Sequence, residues 1–241
     1  MTKKRSTLGP VRGTSSTGAR GEMTEKRKRM ASEDREHQIV QEAIAFFAEH
    51  GFEASTRDLA KVLGVTQPLL YRYFPTKEAL VDRVYEEVFV RRWNLNWEEW
   101  LADRSQPLAE RLKKYFKDYA RFVIRSEWVR VFMYAGLARS GIARKYLENL
   151  RERHFLVIAR EMRHEYRIPD PVDDSEESEE LDLIWATHSS IFYVGVRKWI
   201  YELPVPKNLD HLIDLRVDAF LKGVPSVLRA ARAARKPRAR A

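Results

Sequence analysis

The chain has no cysteine, which excludes disulfides, thiolate catalysis, and zinc or iron–sulfur sites built on cysteine ligands. No apolar run approaches the ~18 residues of a membrane helix. The first residues are basic and polar, without the apolar segment of a signal peptide. Cytoplasm is therefore the expected compartment, with no membrane partner. No HExxH, Walker loop, G-x-S-x-G or dinucleotide fingerprint occurs. The acidic run from Asp170 to Asp182 lacks the glycine and spacing of a calcium loop. Glu161-x-x-His164 matches half of a di-iron carboxylate signature, but the second half that such a site needs is missing, so it reads as a surface ion pair. No enzymatic activity, metal or cofactor is expected.

Charge of one sign is also scarce where the net value suggests otherwise. The 241 residues carry +9. Residues 1–30 hold nine Lys/Arg and two Glu (+7), and residues 229–241 hold six Lys/Arg and no acid (+6). Taking that +13 from +9 leaves residues 31–228 at −4. The basicity therefore belongs to the ends, and the expected organisation has a disordered basic tail over 1–30 and a second basic tail over 229–241. Within the acidic body, residues 55–77 stand out. Arg57, Lys61, Arg72 and Lys77 oppose only Asp58, a local +3, and local charge is what phosphates feel within a Debye length.

Between the tails the pattern is helical throughout, with no convincing strand and no repeat. Ala43, Phe46 and Phe47 recur at helical spacing before Gly51. Ser55 and Asp58 fit a capping-box start. Leu59, Ala60 and Leu63 face inward, and Gly64 supplies a turn. Thr66 caps the next helix, with Pro68 in its first turn and Pro75 at its end. Thr76 caps a helix expected from Lys77 to about Trp100, with Trp93, Trp97 and Trp100 on one face. Further helices carry Leu108 to Phe122, Trp128 to Ala135, and Tyr146 to Met162. Pro169, Pro171 and the acidic run predict a loop. Two last helices are expected at about 177–203 and 208–228. The fold class is all-α: a three-helix head at 31–84, then a larger helical bundle at 85–228.

The head has the make-up of a helix–turn–helix. A major groove ~12 Å wide accepts one helix, braced by a second across a short turn. The second helix would present Thr66, Gln67, Leu69, Tyr71, Arg72 and Tyr73. Gln67 suits adenine and Leu69 a thymine methyl. The hydroxyls of Thr66, Tyr71 and Tyr73, with Lys77 at the next helix start, suit phosphates. Arg57 could reach guanine or a phosphate. Ser55 and Thr56 complete the set expected at DNA. The same residues also fit plain packing, with Tyr71 and Tyr73 as core aromatics.

From about Ile39 to Val84 the order of residues resembles the DNA-binding head of the TetR family of regulators. The resemblance is carried by Ala43 and Phe47 before Gly51, Thr56-Arg57-x-Leu59-Ala60, Leu63-Gly64-Val65, Gln67-Pro68, Leu70-Tyr71, Tyr73-Phe74 and Lys77-x-Ala79-Leu80. It implies that Thr66, Tyr71 and Lys77 hold phosphates, and that Arg57, Gln67, Pro68, Leu69 and Arg72 lie at or near bases. Gln67-Pro68-Leu69 is bulkier than the small residues that usually open this helix in the family, so base preferences do not transfer. The resemblance further implies a homodimer on a palindromic duplex operator, joined through the last two helices, and a small-molecule effector bound in the C-terminal domain. Ile184, Phe192, Leu212, Val217 and Phe220 are candidates for a subunit-facing stripe, or are simply core. Tyr115, Tyr119, Tyr134, His154, His188, Tyr193 and Trp199 are candidates for an effector pocket suited to an apolar or aromatic molecule, each also readable as core. The alternative reading is a sequence-independent nucleoid protein acting through its basic tails.

Overall fold

The computed structural model describes residues 17–138 and 141–235, with side chains from 32 to 234 within those ranges. All described elements are helical. The chain divides into two compact units at Ile39/Val40, inside the first helix. That helix, α1 (Thr17–His50), starts within the stretch expected to be an unstructured tail. The reason is local: Thr24–His37 is rich in Glu, Lys, Arg, Met and Ala, which favour helix. Residues 1–16 of the expected tail, and 236–241 of the other, lie outside the described residues.

The second unit opens with the rest of α1, which ends at Gly51 in the left-handed region (φ +76°). A Cβ there would stand 2.9 Å from the Tyr134 ring, so the position requires glycine on two counts. α2 (Thr56–Val62) is capped by Ser55, whose Oγ accepts from the Asp58 amide (3.1 Å) and donates to the Asp58 carboxylate (2.7 Å). Gly64 (φ +63°) turns the chain. α3 (Gln67–Tyr73) is capped by Thr66 and stopped by Phe74 in extended backbone before Pro75. α4 (Lys77–Tyr85) is capped by Thr76. Val40, Ala43, Phe47, Leu59, Leu70, Phe74, Leu80 and Val84 are buried in the head.

The helix expected from Lys77 to Trp100 is broken. α4 passes into a π-turn at Glu86–Val90. An irregular link then leads to α5 (Trp97–Ala102). Asn94 causes the break: its side-chain oxygen accepts from the Asn96 amide (3.0 Å) and its amide donates to Asp118 (2.9 Å), which competes with helical bonding. Of the three tryptophans, Trp97 is fully buried, and Trp93 and Trp100 are half-buried.

The body continues with α6 (Leu108–Val123), α7 (Ser126–Leu137) and α8 (Ile142–Leu150). A second π-turn (Arg151–Phe155) leads into α9 (Leu156–Tyr166). The acidic run is not a loop beyond Asp173. Asp173 caps α10 (Asp174–Trp199) by accepting from the Glu176 amide (2.9 Å), and acids in a first turn complement the helix dipole. α11 (Leu209–Arg235) lies along α6. Three ion pairs tie them: Lys113–Asp218 (2.9 Å), Lys117–Asp214 (2.6 Å) and Arg121–Asp210 (2.6 Å).

Two readings of the body change. Glu161 is buried, held by Arg104 (2.8 Å) and Arg111 (3.1 Å), so its pair is internal; among the described residues no metal-binding cluster occurs. Arg232, counted in the basic tail, is buried against Glu176 (3.6 Å) and Glu180 (2.9 Å).

Candidate nucleic-acid interface and regulatory core

The caps that begin α2 and α3 set what the head presents. Ser55, Arg57, Thr66, Pro68, Tyr71 and Arg72 are exposed; Gln67, Leu69, Tyr73 and Lys77 are half-buried. Leu70 and Phe74 anchor α3 from beneath, 1% and 5% exposed. The Arg72 guanidinium sits 5.6 Å from the Tyr73 ring centroid. Thr56 differs from its neighbours: it is only 9% exposed. Its hydroxyl lies 3.0 Å from the Tyr71 hydroxyl and accepts from Gln67 Nε2 (3.2 Å). Thr56 thus ties the start of α2 to both ends of α3 and fixes the angle of the second helix.

The seven pocket candidates separate into two groups. Tyr115, Tyr119, His154 and His188 come together in the body, all buried. The Tyr115 hydroxyl meets His154 Nδ1 at 2.9 Å. The Tyr119 hydroxyl meets His188 Nε2 at 2.7 Å and the Tyr146 hydroxyl at 2.9 Å. Trp97 fills the space among them, 5.8, 5.5 and 5.5 Å from the rings of Tyr115, Tyr119 and His154. Burial holds both imidazoles neutral, pushing each down to about 3, with Arg153 and then His188 adding to the effect at His154. Burial likewise drives the three tyrosines upward, so they stay protonated. Burial also pushes the Glu161 carboxyl up, but hydrogen bonds from Arg104 and Arg111 outweigh it and hold the group down at about 2.

Tyr134, Tyr193 and Trp199 lie apart from this cluster. Tyr134 packs on Gly51 and donates to the Glu49 carbonyl (3.3 Å). Tyr193 is 50% exposed on α10. Trp199 ends α10, where its carbonyl accepts from Arg130 (3.4 Å). Arg130 also donates to the Ala48 carbonyl at the end of α1 (2.6 Å). Neither Arg130 nor Tyr146 is among the candidates that the sequence offers. Tyr146 shares a helical stripe with Ile142 and Leu150 and reads as core; Arg130 carries no sequence signal beyond its place on α7.

A capped helix–turn–helix on an all-helical body defines a class: helix–turn–helix DNA-binding regulators. Residues 39–84 match the family described as bacterial regulatory proteins, tetR family. The head of this chain is thus that of the tetR family of bacterial regulatory proteins. Solved structures agree on the fold. A TetR-like regulator from Rhodococcus sp. RHA1 is 18% identical, with 78% of this chain and 96% of that one covered (TM-score 0.57). The TetR-family regulator PfmR from Thermus thermophilus is 22% identical over 77% and 98% (TM-score 0.55). A third, from Pseudomonas syringae pv. tomato, is 21% identical over 78% and 94% (TM-score 0.52).

Proposed function

We propose that this regulator is a repressor that binds a palindromic operator as a homodimer and leaves it when a small molecule occupies the C-terminal domain. The observation that carries the reading is the exposed face of α3, held by Thr56 and flanked by Arg57 and Lys77. Gln67, Pro68, Leu69, Arg72 and Arg57 meet or approach base edges. Thr66, Tyr71, Tyr73 and Lys77, with Ser55 and the first amides of α4, meet phosphates. Thr56 serves by orienting Gln67 and Tyr71. To read an adenine through both its side-chain atoms, Gln67 exchanges its bond to Thr56 for one to the base.

Release follows from differential binding: an effector that favours a spread-apart dimer lowers operator affinity by its preference between the two states. Selecting bound sequences from a random duplex pool tests the DNA reading. A recovered palindrome with half-sites one helical turn or a multiple apart supports it, and recovery of no preferred sequence overturns it. The alternative, binding through basic tails, loses ground at one end because Arg232 is spent on Glu176 and Glu180.

A further inference from the structure

We propose that a cleft between the two π-turns is the effector site, and that it takes an uncharged, flat aromatic molecule of one or two rings bearing a neutral acceptor oxygen, such as an aryl ketone or a chromone. This rests on the effector-responsive reading and adds to it a place and a ligand class.

The place comes from the backbone. The cleft measures about 110 Å³, and its walls include Phe89 and Val90 of the first π-turn, Arg153 of the second, and Trp93, Tyr146 and Asn149. Each π-turn slips the hydrogen-bond register by one residue, as in Arg91 N–H to the Glu86 carbonyl (2.8 Å). Such turns inside α-helices recur at functional sites. Two of them here border one cleft.

The size and walls limit the occupant. The volume is below the ~300 Å³ at which sites for drug-sized ligands begin, and near the ~150 Å³ of a cavity that holds benzene. One ring fits inside and a second lies across the mouth. The walls are ring faces and edges: Phe89 stands 5.6 Å and Trp93 5.9 Å from Tyr146, and Trp93 stacks on His154 at 4.8 Å. Flat aromatics pack well in such surroundings.

Charge decides against an ion. The imidazoles behind the cleft are neutral and the tyrosines protonated, so none of these groups compensates a carboxylate or an amine, and buried Glu87 is already paired with Arg83 and Arg91. Arg153 at the mouth is already paired with Glu98 and lies 5.4 Å from the Trp93 ring centroid. An anion has to displace Glu98, and a cation faces Arg153.

Hydrogen-bond counting then selects an acceptor. Tyr146, Tyr119 and His188 form a chain that runs in one of two directions. If protons point toward His188, its Nδ1–H has no acceptor among the described residues; if they point toward Tyr146, the Tyr146 hydroxyl proton has none. The Tyr115–His154 pair likewise leaves one proton over, on His154 Nε2 or on Tyr115. Trp93 Nε1 also finds no acceptor among the described residues. Each chain also leaves one acceptor over at its opposite end, so Trp93 Nε1 tips the balance: the region holds more unmet buried donors than acceptors, each costly to leave unmet. A neutral oxygen from the occupant satisfies Tyr146 or Trp93, and through Tyr119 and His188 the bond reaches α10.

The test is calorimetric titration of the full-length protein, free of DNA, with three bicyclic probes: chromone, naphthalene and 2-naphthoate. Chromone should bind at least about tenfold more tightly than either of the others, the discrimination of one good buried hydrogen bond. Tyr146→Phe should remove most of the advantage of chromone over naphthalene while naphthalene itself binds within about twofold, a change a general loosening of the core would not produce. Asn149→Trp, a surface change at the mouth, should abolish binding of both. Equal or tighter binding of 2-naphthoate overturns the ligand class. No heat with chromone at millimolar concentration, or chromone binding untouched by both variants, overturns the site. Chromone that binds as described yet leaves the operator complex intact supports the site and sinks the release reading; failure of the free protein to bind any operator leaves the cleft measurements standing.

Discussion

Thr56 holds two of the side chains that matter most, so substitutions around it should separate by kind. Gln67→Ala should relax preference at one base position by about 1–3 kcal/mol, with little change elsewhere in the site. Equal loss on every sequence in competition assays would remove Gln67 from base reading. Lys77→Ala should weaken binding to all sequences and lower the salt slope by about one ion. Thr56→Val should reduce affinity without changing that slope, since it removes no charge. The buried histidines make a second prediction at this scale. Each is held near 3 in the folded chain against about 6.5 unfolded. The unfolded state therefore binds more protons between these values, and stability is full above about pH 6.5 and falls as pH drops toward 3. From pH 7 to pH 5.5 the two together should cost about 2–3 kcal/mol in denaturant unfolding. His188→Gln should remove about half of that slope; an unchanged slope would mean the imidazole is charged in the native state. The helix starts around α3 were readable because caps and turns are local. The part of Thr56 was not, because its partners lie 11 and 15 residues away and only the folded angle between α2 and α3 brings them near.

At the level of elements, caps and breakers explain where sequence reading held. Ser55, Gly64, Thr66, Pro75 and Thr76 each act within a few residues, and α2, α3 and α4 start where those residues place them. The break at Asn94 was hidden because it depends on Asp118, 24 residues on. The acidic run looked like solvated loop because its charge outweighs Leu181 and Ile184, yet acids in a first turn stabilise a helix whose later turns are apolar. Arg130 is likewise a tertiary feature. Its guanidinium bonds the carbonyls of Ala48 and Trp199 at the ends of α1 and α10, where helix C-termini have carbonyls to satisfy. It joins a helix of the head to one of the two long C-terminal helices. Arg130→Met should leave operator affinity within a few-fold and reduce the effector's effect on it by about tenfold, a coupling loss of ~1.4 kcal/mol. Release measured with and without effector checks this; an undiminished response would mean that coupling runs through α4 alone.

For the whole molecule, the proposed homodimer asks which surface would meet a second copy. Of the apolar residues expected to face a partner, Ile184, Val217 and Phe220 are 1%, 0% and 5% exposed within one chain. Phe192 packs on Trp128 and Phe132, 5.7 and 5.5 Å away. Ile184, Val217 and Phe220 belong to the core, whereas Phe192 and Leu212 are half-buried. Sequence periodicity could not separate the two stripes, because a helix buried on two sides shows apolar residues almost all round. The folded chain leaves a different row open on α11: Leu215 at 53% and Val227 at 57% exposed, with Ala219 and Gly223 exposed between them. On α10 the row is Ala186, Ser189 and Tyr193. Small residues between larger apolar ones allow helices close approach, and a two-fold contact brings each row onto its own copy. Leu215→Arg should therefore give monomers in sedimentation with the melting temperature of the monomeric fold preserved, and should weaken binding to a full palindrome while sparing a single half-site. Phe220→Arg should instead destabilise the chain itself by several kcal/mol, as an unpaired charge in the core does. If Leu215→Arg stays dimeric, the open row on α11 is not the subunit contact.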